Sequence, residues 1–323
     1  MEKAQHTQAI AGILAPAYVV GEIVLDVDSL PGKRERLAEY GMPDIKELWG
    51  WGSCRRTERS AADLASLAAA DAFARSGVAP SAIDAVVLCR SDPGNYYEQN
   101  RFLGELSERL GVGPVFMTWV SGAGCASLFS AIKIATAFVT AGTFENVLVL
   151  TVDRIADDAT RLQRFGILSD GACALLVTPA GRADFAIQGV AVRSSPASLA
   201  NGGEDFQSKC ELIQSVFEQL QNEASFDFHA VSSLFSSNLH LPVQELETSA
   251  LPLDGLVAYH GNIARYGHCY AADPVINLVD FYSDFSNSRV SHSIMASTAH
   301  GHFGMILLER RSGTWGGGQA AGR

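Results

Sequence analysis

The chain alternates short, wholly apolar runs with longer amphipathic stretches. "IAGILAPAYVVGEIVL" opens with strand character, and the polar segment from Ser29 to Ser60 predicts short helices and loops. Asp63–Ser76 is an alanine-rich helix that Gly77 stops. "IDAVVLCRSDP" is a buried strand ending at a proline turn, Asn100–Leu110 a helix, and "PVFMTWV" a strand. That strand runs into "SGAGCAS", and an Ala/Ile/Phe helix pattern follows to Val139. "NVLVLTVD" is a strand ending on Asp153, "SDGACALLVTP" a turn feeding a strand, and "ADFAIQGVAVRSS" a strand near the midpoint. The second half repeats this order: a helix in "SKCELIQSVFEQLQNEASF", a strand in "AVSSLFSSN", a helix in "INLVDFYSDF" and a strand pair in "VSHSIMASTAHGHFGMILLER".

Strands that are apolar throughout, rather than alternating, belong to sheets covered on both faces. Their alternation with helices predicts mixed α/β layers. The repeated order predicts two similar βαβ-type halves, residues 9–183 and 184–311, followed by a flexible glycine-rich tail at 312–323.

Composition narrows the function classes. The 323 residues are 47% hydrophobic and 18% charged, which describes a globular chain with a large core. A net charge of −11 without a Lys/Arg cluster argues against nucleic acid or a membrane surface as partner. The most apolar window, Ala131–Leu150, is interrupted by Lys133 and Glu145 and is too polar to span a bilayer. The N-terminus carries no basic region leading into a signal core, so a cytoplasmic protein is expected. Six cysteines without a CxxC pair predict free thiols in a reducing compartment.

One thiol stands apart. Cys125 ends a small-residue cluster, Ser121-Gly122-Ala123-Gly124, at the mouth of an apolar helix. Unpaired N–H groups at a helix N-terminus favour the thiolate, the reactive form. Glycines permit the tight strand-to-helix turn that exposes the sulfur. A nucleophile that takes up an acyl group also needs a base and donors to the oxyanion. Two second-half loops offer candidates: "LFSSNLHLP" places Asn238 after a strand, and "RYGHCYAADPVINL" places His268 in a glycine turn before a helix.

With these motifs the chain resembles the β-ketoacyl-acyl-carrier-protein synthase III group of the thiolase superfamily, from about residue 9 to 311. "SGAGCAS" is similar to the family's cysteine elbow, "LSDGACALLV" to its Gly-Asp-Gly-Ala strand, and "YGHCYAADP" to its Gly-Asn-Thr-Ser-Ala-Ala-Ser turn, with "NVLVLTVD" between the first two as in the family. The resemblance implies a five-layer αβαβα fold of two pseudo-duplicated halves, commonly a homodimer. It implies that Cys125 takes an acyl group from a CoA or acyl-carrier-protein phosphopantetheine thioester, with no permanently bound cofactor. In the family a histidine and an asparagine then stabilise the enolate of a decarboxylating malonyl unit, which attacks the acyl-cysteine.

Here those two residues stand exchanged: Asn238 occupies the family's histidine position and His268 its asparagine position. His240 with Asn262 is a second placement, and a site with no working dyad a third. Both imidazole and amide can donate to an oxyanion, but only histidine can take a proton. The exchange therefore opens non-elongating transfer to an amine or hydroxyl beside decarboxylative condensation. A non-catalytic subunit of a ketosynthase-like heterodimer is a further reading, which the retained Cys125 weighs against. A second oxyanion donor is expected from "STAHGHFG", near Ala299. His300 and His302 lack a nearby carboxylate or thiol, so no metal site is expected. Trp49, Trp51, Arg55 and Arg56 fall where the family's CoA mouth lies, and Arg161 and Arg164 are placed to meet an acidic carrier protein. Tyr96, Tyr97 and Phe102 would bound an acyl tunnel or pack a dimer.

Overall fold

A computed structural model describes residues 10–91, 94–201, 205–224, 226–285 and 290–311. The 312–323 tail lies outside the described residues. The strands are β1 (Ala11–Val20), β2 (Ile23–Asp26), β3 (Ser53–Arg56), β4 (Ala85–Cys89), β5 (Phe116–Val120), β6 (Val147–Asp153), β7 (Gly171–Pro179), β8 (Phe185–Ser194), β9 (Ser233–Phe235), β10 (Val257–Ala258), β11 (His292–Ala299) and β12 (His302–Arg310). Among the described residues, β2 and β3 form a separate ribbon and the other ten make one sheet, ordered β10-β9-β11-β12-β8-β1-β7-β6-β4-β5.

The order is a duplication. From the centre outwards, β1 meets β7 antiparallel, β7 meets β6 antiparallel, and β6, β4 and β5 run parallel. In the other direction β8 meets β12 antiparallel, β12 meets β11 antiparallel, and β11, β9 and β10 run parallel. The halves join where Gly12 and Ile13 of β1 pair with Ala186 and Phe185 of β8.

Strand alternation sorts the core into layers, because successive side chains point to opposite faces. In β4, Val86 and Leu88 face the outer helices Ala61–Ser76 and Tyr96–Leu110, while Ala85, Val87 and Cys89 face the middle layer. In β12, Met305 and Leu307 face the outer helix Phe206–Glu223, while Ile306 and Leu308 face inwards. Two helices fill the middle: Ser127–Thr140, through Leu128, Phe129 and Ile132, and Asp273–Asp284, through Val275, Ile276 and Val279. Burying each such large apolar side chain contributes about 1.5–3 kcal/mol. The two halves of the one sheet, joined at β1 and β8, both pack against these middle helices, so the layers run helix, half-sheet, helix, half-sheet, helix, the expected five.

Among the boundaries that differ from expectation, two have a plain local cause. The helix expected from Asn100 begins at Tyr96, because Asn95 caps it: its side chain accepts from Tyr97 N and Glu98 N while Glu98 reaches back to Asn95 N. Ser53–Arg56, expected as loop, is a strand because it pairs with β2.

Candidate active site

Parallel strands of an α/β sheet deliver their following loops to one edge, where such proteins keep their chemistry. Cys125 follows β5, Asn238 follows β9, and His268 follows β10 by way of the short helix Gly261–Tyr266.

Cys125 lies in a 3₁₀ turn, Gly124–Ala126, that leads directly into the Ser127–Thr140 helix, whose N-terminus has no side-chain cap. Gly124 has φ +49°, and a Cβ there would stand 2.7 Å from Ala299 Cβ. Both the backbone conformation and the close approach of the β11–β12 turn require glycine at that position.

His268 is held by its backbone. Its N–H donates to Ile167 O at 2.7 Å and its carbonyl accepts from Ser169 N at 2.9 Å, an isolated bridge to Leu168. The "LSDGACALLV" segment thus fixes the imidazole in place. Nε2 lies 3.4 Å from Cys125 Sγ, and Nδ1 lies 2.5 Å from Asp273 Oδ2. Cys125, His268 and Asp273 are 8%, 2% and 0% exposed, so access narrows from the sulfur inwards. Burial alone would lower the His268 pKa. The Asp273 carboxylate and the Cys125 sulfur outweigh it and hold the imidazole well above its ordinary value.

Asp273 was not singled out in the sequence. Its carboxylate accepts from Asn238 N at 2.6 Å, Asn238 Nδ2 at 3.2 Å and Cys269 N at 2.7 Å, besides His268. The available signal was an acidic residue at the first turn of a helix otherwise apolar at its start, five positions after a candidate histidine.

Asn238 therefore stands behind Asp273 rather than beside the sulfur. Its Nδ2 goes to Asp273 and its Oδ1 accepts from Asn277 at 2.9 Å. His240 is not near the thiol either: Nδ1 accepts from Trp51 Nε1 at 2.9 Å and Nε2 donates to Gln163 O at 2.9 Å. Burial pushes its pKa down to about 4, so it is a neutral structural imidazole. Asn262 donates to Asn277 Oδ1 at 2.9 Å.

Packing places the other sequence candidates and corrects two of them, Arg161 and Trp51. Arg161 cannot meet a carrier protein: it is fully buried, paired with Asp158 at 2.7 Å and Asp170 at 3.2 Å. Arg164 is exposed, with its guanidinium 5.1 Å over the Tyr40 ring. Trp51 is buried against His240 rather than open to a nucleotide, and Arg56 pairs with Asp158 at 3.2 Å. Arg55 lies 5.1 Å over the Tyr266 ring, and Trp49 stacks on Trp51. Tyr96 and Tyr97 are exposed, whereas Phe102 is buried against Trp119. His300 Nε2 meets Ser198 O at 3.0 Å and His302 Nδ1 meets Ser194 Oγ at 2.7 Å. Among the described residues no group of three His, Cys, Asp or Glu side chains could hold a metal ion, and no helix is long and apolar enough to cross a membrane.

A cleft of about 800 Å³ lies elsewhere, lined by Lys133, Gln188, Glu223 and Glu309. It borders the later turns of the Ser127–Thr140 helix and includes neither Cys125 nor His268.

Comparison with known proteins bears on this arrangement. Residues 121–196 match the family 3-oxoacyl-[acyl-carrier-protein] synthase III. Over that stretch the chain is similar to the synthase III family. Its similarity to solved structures extends over nearly its full length. A 3-oxoacyl-[acyl-carrier-protein] synthase III from Aquifex aeolicus superposes with a TM-score of 0.75 at 18% identity, covering 93% of this chain and 99% of that one. ChlB3, described as an acyltransferase, superposes with a TM-score of 0.76 at 20% identity, covering 93% and 98%. A variant of OleA from Xanthomonas campestris gives 0.79 at 14%, covering 96% and 99%. No curated protein matches the sequence. The chain shares its fold with these synthase III, ChlB3 and OleA structures.

Proposed function

We infer that this synthase III-like chain is an acyltransferase that loads an acyl group from a CoA or carrier-protein thioester onto Cys125 and passes it to a hydroxyl or amine. The observation that carries this reading is the line Cys125–His268–Asp273, with the Asn238 amide engaged behind it.

In the first half-reaction Cys125 gives its proton to His268 Nε2 and Sγ attacks the thioester carbonyl. Collapse breaks the donor's C–S bond, and His268 returns the proton to the departing pantetheine thiolate. His268 is then neutral, with Nε2 open towards the acyl-cysteine. It takes the proton of an acceptor O–H or N–H as that atom attacks. The C–S bond to Cys125 breaks, an ester or amide leaves, and His268 reprotonates Sγ. Asp273 holds the imidazole in the tautomer that keeps Nε2 available and balances the imidazolium that forms twice per turnover.

Decarboxylative condensation asks for something else. The enolate of a malonyl thioester needs two donors at its oxygen. Here the candidate second donor, Asn238, has its amide turned to Asp273 and Asn277. Condensation was the leading expectation from the resemblance; the geometry favours heteroatom transfer.

Incubation with a panel of acyl-CoA and acyl-carrier-protein thioesters should add one acyl mass to the wild type and none to Cys125→Ala. Addition of alcohols or amines should then discharge it. A protein that accepts no acyl group from any thioester ends this reading, and CO2 release from a malonyl donor by the acylated enzyme restores condensation in its place.

The protein is further read as a homodimer formed through β5. That strand is the outer edge of the first half and carries the exposed Phe116 beside half-buried Met117, Trp119 and Val120. An uncovered apolar edge strand is a pairing surface.

A further inference from the structure

We propose that Asn277 and Asn262 are positioning residues: with Asn238 they form a buried amide relay that aims the Asp273 carboxylate at His268. This rests on the Cys125–His268–Asp273 reading and extends it to two residues that take no part in the mechanism above.

The relay is continuous in hydrogen bonds. Asn262 Nδ2 donates to Asn277 Oδ1 at 2.9 Å, Asn277 Nδ2 donates to Asn238 Oδ1 at 2.9 Å, and Asn238 Nδ2 donates to Asp273 Oδ1 at 3.2 Å. Asn277 Nδ2 also donates to Ser236 O at 2.7 Å. All three asparagines are buried.

The direction of each amide follows from chemistry rather than from choice. A carboxylate and a backbone carbonyl only accept. Asn238 must therefore present Nδ2 to Asp273, which leaves Oδ1 outward. Asn277 must present Nδ2 to that oxygen and to Ser236 O, which leaves its Oδ1 for Asn262. Every donor points towards Asp273, so the dipoles align and reinforce one another. Further along the same helix face, Asp280 accepts from Tyr18 Oη at 2.5 Å and from Arg265 at 3.1 Å.

The helix explains why these residues meet. Asp273, Asn277 and Asp280 are spaced i, i+4, i+7 and share one face of Asp273–Asp284. The rest of that helix packs Val275, Ile276, Leu278, Val279 and Tyr282 into the core. An apolar stripe of the same volume would be at least as stable, because buried polar groups give up their hydration. A polar stripe ending on the histidine's partner has a functional reading that an apolar one lacks. Its consequence is that Asn238 stays locked out of the thiol site and Asp273 cannot rotate away from His268.

The test uses the thiol without substrate. Alkylation of Cys125 by iodoacetamide is followed across pH in the full-length wild type and in Asn277→Leu, Asn262→Leu and Asp273→Asn. The titratable groups around His268 are Cys125, Asp273, Asp153, His240 and Tyr270, and neither asparagine substitution alters one of them. Asn277→Leu should move the acid limb of the profile to higher pH by about one unit, a roughly tenfold loss of rate on that limb. Asn262→Leu, which leaves both Asn277 donor bonds in place, should move it in the same direction by roughly a third as much, and it carries the test if Asn277→Leu does not fold. A loss of thermal stability with an unshifted profile would mark a merely structural role and overturn the proposal. If the asparagine variants superimpose on wild type while Asp273→Asn shifts, only the relay fails. If Asp273→Asn does not shift either, the relay and the His268–Asp273 reading fail together.

Discussion

Cys125 Sγ and His268 Nε2 meet at 3.4 Å across 143 positions of sequence. Each lies at or just before a 3₁₀ turn, Gly124–Ala126 or Tyr270–Ala272, that feeds a middle-layer helix. The pair thus joins equivalent corners of the two halves, and the duplicated topology is what brings the thiol and the imidazole together.

Asp273→Asn should separate positioning from binding. The amide keeps the shape but offers the imidazole no charge and a weaker acceptor. Transfer from acyl-Cys125 should slow by roughly 10²- to 10⁴-fold with KM nearly unchanged, as for an acid that only orients its histidine. Single-turnover discharge of the acylated enzyme measures it, and a rate within threefold of wild type would remove Asp273 from the mechanism.

Stability should fall with acid at His240. Its folded pKa, about 4, lies below the ordinary 6.5. The unfolded chain therefore binds the proton first, and the contribution present above pH 6.5 is lost as pH falls towards 4. At pH 5 about 2 kcal/mol should be gone. His240→Gln lacks this titration, so the gap between variant and wild type in urea unfolding should narrow by that amount from pH 7 to pH 5. A constant gap would contradict a neutral, buried His240.

Gly124→Ala should damage the elbow. The residue would have to hold φ +49° with its methyl 2.7 Å from Ala299 Cβ, which has no flexible end to move. Left-handed backbone and overpacking together cost roughly 2–4 kcal/mol. Thermal unfolding should report that loss, and acylation of Cys125 should fall with it. A fully stable, fully active variant would show that the turn needs no glycine.

Phe116→Asp should break a dimer built on β5. Light scattering should give twice the 34.4 kDa chain mass for the wild type and one chain mass for the variant. A wild type that is monomeric at micromolar concentration would discard this interface.

The sequence by itself determined the layered architecture and singled out Cys125 as the candidate nucleophile. Short, wholly apolar runs bounded by turn residues and alternating with helices read as strands covered on both sides, and a cysteine between a glycine cluster and a helix pattern reads as a helix mouth. It also brought His268 forward, because a histidine in a glycine turn before a helix is a local pattern. Two exchanged residues then looked like a dyad, since linear spacing carries Asn238 and His268 to one edge of the sheet but not their side-chain directions. Only the tertiary structure decided that the Asn238 amide turns away to Asp273, that His240 is spent on Trp51 and Gln163, and that Arg161 is interior. Hydrogen-bond partners are chosen by what lies across a packed interface: Asn238 and Asp273, 35 positions apart, meet only when the segment after β9 packs against the Asp273–Asp284 helix.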